Sequence, residues 1–176
     1  MPRKKEILIY KFDELSSKAK EVARDWYRQG ALDDYDWWDS ISQDAANIGL
    51  KITSFDTDRD NSISGDYTDS PEKCAKKIMK DHGPDTDTHK LAEAFLLDRQ
   101  ALQEKHDAAY EANEDWRVTR KIEEAIEELE EEFKRALLEE YLSILKKEVE
   151  YQMSDEVIDE EIQSNEYEFA SDGKRA

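Results

Sequence analysis

The chain has 176 residues, of which 40% are charged and 38% hydrophobic, and its formal net charge is −19. That balance is poor for a single thick core, yet four Trp, eight Tyr and five Phe are more aromatics than a disordered acidic chain carries, so a thin, elongated, largely helical protein is expected. No apolar run approaches a membrane span or signal-peptide core, and a single cysteine, Cys74, excludes an intramolecular disulfide and a cysteine-based zinc cluster, which fits an intracellular protein.

After the basic start Pro2-Arg3-Lys4-Lys5, residues 6–12 alternate and are β-branched enough to read as a strand beginning at Glu6. Ser16 reads as a helix N-cap, with Ala19, Val22, Ala23, Trp26 and Tyr27 on one face and Gly30 as the stop. A second helix starts near Asp33, turns Tyr35, Trp38, Ile41, Ala45 and Ile48 inward and ends at Gly49. Its aspartate-rich first turn suits the positive end of the helix dipole. Residues 50–55 and 62–68 form a hairpin around the polar turn Asp56-Thr57-Asp58-Arg59-Asp60-Asn61.

Ser70-Pro71 caps a third helix with Cys74, Ile78 and Met79 inside, closed by His82-Gly83-Pro84. A fourth, over 86–111, carries Leu91, Ala94, Phe95, Leu97, Ala101 and Leu102, and a break near Asn113 leads into the longest element, 116–151. There Ile122, Ile126, Leu129, Phe133, Leu137, Tyr141, Ile144 and Tyr151 draw one stripe down a helix roughly 50 Å long. Off the stripe charge dominates, and seven of the ten residues 123–132 are glutamate. So long a helix needs cover for its apolar face, from this chain or a second copy. A short connection makes the two long helices an antiparallel hairpin. Ser154 caps a last helix with Val157, Ile158 and Ile162 inside, and residues 166–169 with the Asp172-Gly173 turn read as a short strand returning to the sheet.

Catalytic chemistry is not legible. Five scattered glycines form no phosphate-cradling loop, and His82, His89 and His106 have no nucleophile partner in the pattern. Cys74 sits on an apolar face and reads as a small core residue. Asp56-x-Asp58-x-Asp60 matches part of a calcium loop, but Asn61 and Tyr67 stand where glycine and a bidentate glutamate are needed, and strands flank it where helices belong. It reads as a solvated turn, and neither metal nor cofactor is expected. The aromatic-acidic segment around Asp36, Trp37 and Asp39 is a candidate protein contact, because a partly exposed Trp ringed by carboxylates makes a good anchor.

Three stretches together resemble a widespread group of small, mostly uncharacterised phage and prophage proteins, some labelled antitoxin-like. They are Tyr10-Lys11-Phe12-Asp13-Glu14-Leu15-Ser16 with Ala19, Ala23 and Trp26-Tyr27-Arg28; Asp34-Tyr35-Asp36-Trp37-Trp38-Asp39 with Asp44-Ala45, Ile48-Gly49-Leu50-Lys51-Ile52 and Phe55-Asp56; and Asn165-Glu166-Tyr167-Glu168-Phe169 with Asp172-Gly173-Lys174. These are fold-specifying residues and caps, so the resemblance carries over no functional residue. It implies a viral gene acting in the cytoplasm of a bacterial host.

The expectation is an α+β, helix-dominated fold: a small antiparallel sheet of three to four strands packed by helices, with a long projecting antiparallel helical hairpin. The head would span 1–84, the hairpin 85–153, and the final helix and strand 154–176. Residues 111–172 hold 22 acids against 7 bases, a field that repels nucleic acid and anionic membranes and attracts basic surfaces. The expected function is non-enzymatic inhibition of a basic, nucleic-acid-handling host protein, of the anti-defence or anti-CRISPR type, by DNA mimicry. Its contact residues would be Glu123, Glu124, Glu127, Glu128, Glu130, Glu131 and Glu132, with Trp37, Asp36 and Asp39. The alternative is an antitoxin-like partner or a homodimer that uses the apolar stripe.

Overall fold

A computed structural model describes residues 8–33 and 35–176, apart from the side chains of Tyr35 and Asp36. The expected strand start at Glu6, the basic residues 2–5, Asp34 and those two side chains lie outside the described residues. The fold is α+β and dominated by helices, as expected. Its four described strands form two separate two-stranded antiparallel sheets instead of one. Two compact units divide the chain, one running up to Trp38 and resuming over Lys146–Ala176, the other Asp39–Leu145.

The first unit pairs β1 (Tyr10–Lys11) with β4 (Glu168–Phe169). β1 is this short because the chain turns at once into a 3-10 turn, Phe12–Glu14, in which the Lys11 N–H donates to Glu14 Oε2 at 2.7 Å. Helix α1 (Ser17–Arg28) follows, capped by Ser16, whose hydroxyl accepts the Ala19 N–H. Helix α6 (Asp155–Ser164) is capped in the same way by Ser154. Phe12, Leu15, Ala19, Ala23, Ile158, Ile162 and Phe169 form the core, with Trp26, Tyr27 and Tyr167 packed against it. Val22, expected on this face, is 37% exposed. The Arg24 guanidinium clamps Asp159 with two hydrogen bonds of 2.6 Å, tying α1 to α6. Arg175 lies over the rings of Tyr167 (4.1 Å) and Trp26 (5.3 Å) and seats the C-terminal segment.

In the second unit α2 (Asp39–Ile48) buries Ile41, Ala45 and Ile48 and ends at Gly49, whose φ of +91° only glycine adopts freely. The β2 (Leu50–Asp56) and β3 (Ser62–Tyr67) hairpin turns through the aspartate loop. There Asp56 Oδ1 accepts the N–H groups of Asp58 (2.8 Å) and Arg59 (3.1 Å) and so holds the turn itself. Helix α3 (Pro71–Asp81), capped by Ser70, buries Cys74, Ala75 and Ile78; Met79 is half-buried. Helix α4 (Asp87–Glu111) is capped by Thr86. Helix α5 (Trp116–Gln152) is one uninterrupted run of 37 residues.

The buried face of α5 is wider than the expected stripe. Leu138, Leu142 and Leu145 are buried beside Phe133, Leu137 and Tyr141, whereas Ile144 and Tyr151 are exposed. Tyr141 donates to Asp44 Oδ2 at 2.7 Å, and burial, then this carboxylate, pushes its phenol well above the ordinary tyrosine range.

Cys74 is fully buried, and burial pushes its thiol up to about 11. The folded protein is therefore expected to resist Ellman's reagent and to release its single thiol only on unfolding. Fast labelling in native buffer would contradict this packing.

Candidate interaction surface

The two long helices run antiparallel. Phe95 stacks on Phe133 with ring centroids 4.2 Å apart and planes 8° from parallel. Further along α4, the Arg99 Nε–H donates to Glu130 Oε1 at 3.1 Å, and His106 Nε2 lies 3.4 Å from Glu123 Oε1. The inward side of α4 is the series Thr88, Ala92, Phe95, Arg99, Leu102, His106 and Ala109, each buried or half-buried, in alternating steps of four and three. Two of its seven members are cationic or titratable, which hid the series in the sequence. Leu97, Ala94 and Ala101, expected inside, are exposed.

This seam sorts the candidate glutamates. Glu130 is an internal residue: its carboxylate holds Arg99, which also binds Glu72 at 3.1 Å, and its backbone carbonyl accepts the Tyr67 hydroxyl at 2.9 Å. Glu123 is exposed but drawn to His106. Glu130 thus makes contacts within the fold, and Glu123 stands at the edge of the seam. Glu124, Glu127, Glu128, Glu131 and Glu132 are exposed. Glu124 pairs with Arg120 at 2.9 Å and Glu131 with Lys134 at 3.0 Å, both within α5. Among the described residues, no cation lies within ion-pair distance of Glu127, Glu128 or Glu132.

Glu128 and Glu132 also rim a shallow groove of about 470 Å³ between α4 and α5. Leu102, Leu129, Ala101 and Ala125 line it together with Asp98 and Lys105. Apolar side chains flanked by carboxylates suit the methylene stem and charged head of a lysine or arginine. A larger hollow between α3 and α4, about 650 Å³, balances Glu72 and Glu104 against Lys76 and Arg99 and has no such preference of sign.

No family model, curated protein or solved structure matches this chain.

The remaining candidates divide. Trp37 is half-buried in a 3-10 turn, Tyr35–Trp38, and Asp39 is exposed at the start of α2; the side chain of Asp36 lies outside the described residues. The histidines hold structure together. His82 Nδ1 sits 2.7 Å from the buried Thr88 hydroxyl, its Nε2 is 3.6 Å from Asp44 Oδ2, and its backbone carbonyl lies 3.1 Å from His89 Nδ1. Among the described residues, no group of three or more His, Cys, Asp or Glu side chains is placed to hold a metal ion, and no helix is long and apolar enough to cross a membrane.

Proposed function

We propose that this protein is a phage-encoded, non-enzymatic inhibitor that acts in the bacterial cytoplasm on a basic, nucleic-acid-handling host protein of a defence system. The contact is the outer face of α5, Glu124, Glu127, Glu128, Glu131 and Glu132, together with the adjoining groove. The observation that carries the reading is the exposed carboxylates of Glu127, Glu128 and Glu132, which among the described residues have no lysine or arginine within ion-pair distance, beside the α4–α5 groove. Carboxylates three and four positions apart on a helix lie about 5–6 Å from one another, a spacing that can occupy sites meant for phosphates. The same field turns nucleic acid and anionic lipid away. A dimer through the α5 stripe is less well supported, since Phe133, Leu137 and Tyr141 are already buried within one chain.

The test uses the heparin-binding fraction of a nuclease-treated bacterial lysate, passed over the immobilised protein and washed across a salt series. A basic nucleic-acid-binding protein should be retained at low salt and shed as salt rises, because exposed charge contacts are screened within about 8 Å at physiological ionic strength. Reversing Glu124, Glu127, Glu128 and Glu131 to lysine should cut retention about tenfold or more. Unchanged retention, or a partner held equally at high salt, would sink the mimicry idea.

A further inference from the structure

Among the described residues, the two most exposed large aromatics sit at the same end of the α4–α5 hairpin. Tyr110, in the last turn of α4, is 76% exposed, and Trp116, which opens α5, is 68% exposed. The connection between them is held fast. Asn113 takes a left-handed φ of +54°, the Glu114 N–H donates to the Ala109 carbonyl at 3.1 Å, and Asp115 Oδ1 accepts the Arg117 N–H at 3.0 Å. A backbone held in this way presents the two side chains from fixed positions, which lowers the ordering cost of binding. Between Asp107 and Val118 the chain carries Asp107, Glu111, Glu114 and Asp115 against the single cation Arg117.

We propose that this tip reads arginine side chains on the partner. The inference rests on the reading above and names the residue class that the partner presents. A guanidinium is planar and weakly hydrated, so it stacks on an aromatic face while its edge meets carboxylates, whereas an ammonium gains less from the ring. The tip offers both halves of that site: rings from Tyr110 and Trp116, and the carboxylates of Glu111 and Glu114, while Asp115 already meets Arg117 at 3.7 Å and Asp107 holds Gln103 and His106. The chain uses the same contact internally, with Arg117 at 5.8 Å over Trp116 itself and Arg175 at 4.1 Å over Tyr167. Bases of single-stranded nucleic acid also stack on such rings, but their phosphates would meet four carboxylates, which selects a cationic protein segment.

The probes are arginine and lysine homopeptides of equal length and charge, titrated into the full chain while the indole N–H signals are followed by NMR. The arginine peptide should bind about threefold to tenfold more tightly than the lysine peptide and should shift the Trp116 indole signal. Trp116→Leu, which keeps apolar bulk without a π face, combined with Tyr110→Ala should erase that preference and leave the affinity for the lysine peptide nearly unchanged. Glu128→Gln with Glu132→Gln should weaken both peptides alike and leave the preference in place. Equal binding of the two peptides, or a preference that survives loss of the rings, overturns the inference and leaves the reading of the acidic face standing. Binding of neither peptide removes both. A Trp116 shift produced by oligothymidylate, or by raising the protein concentration alone, would assign the tip to nucleic acid or to a second copy and overturn it.

Discussion

Phe133→Ala is expected to destabilise the protein by about 3–5 kcal/mol, the largest single-residue effect on the α4–α5 pair. Phe133 is 4% exposed and lies flat against Phe95, so truncation removes that stack and opens a cavity. The loss combines buried apolar area, the ring-on-ring contact and the void left behind. Leu97→Ala is the control, a large apolar residue on α4 that stands 64% in solvent and should cost under about 0.5 kcal/mol. Urea unfolding followed by circular dichroism at 222 nm reads both. A Phe133→Ala loss below about 1 kcal/mol would mean the stack is not formed in solution.

The second large effect lies in the first unit. Gly173 is buried, has φ +86°, and sits so close to α1 that a Cβ would fall 2.0 Å from the Ala19 carbonyl oxygen and 2.8 Å from its carbonyl carbon. The obstacle is helix backbone, which cannot swing aside as a side chain would. Gly173→Ala therefore has to lift its turn away from α1, breaking the Gly173 to Ala170 and Ala170 to Lys174 hydrogen bonds, and it also bears the left-handed penalty. A loss of about 3–4 kcal/mol is expected, reported by the fluorescence of Trp26, which packs edge-on against Tyr167 and Phe169. Ser171→Ala, exposed and nearby, should leave the transition where it is. If Gly173→Ala unfolds together with it, the turn does not lie against α1.

Local chemistry made much of this architecture legible. Ser16, Ser70 and Ser154 cap the helices they were expected to cap, the hairpin pairs Leu50 with Tyr67, and the α5 apolar period holds from Ile122 to Tyr141. Long-range arrangement was not legible. Asp172-Gly173 was readable as a turn, but its seat against Ala19 depends on residues more than 150 positions away in the chain. On α4, Arg99 and His106 stand where periodicity looks for apolar residues, so the pattern pointed to Leu97 and Ala101 instead. Their partners Glu130 and Glu123 were hidden among glutamates of identical type, and only the pairing across the seam separates inner from outer ones. The exposed tip left no periodic signal, since Tyr110 and Trp116 belong to neither apolar series.

The two polar rungs between α4 and α5 also act as a vernier. Long helices lined with leucine and alanine fit one another almost as well after sliding by a heptad, and such slippage is the usual failure of a smooth seam. Here a slide in one direction would set Arg99 opposite Leu137, and in the other it would set His106 opposite Trp116. Only the observed alignment gives Arg99 its Glu130 and His106 its Glu123 at once. Glu130 and Glu123 thus help hold α5 in the alignment that sets its outward carboxylates along α4.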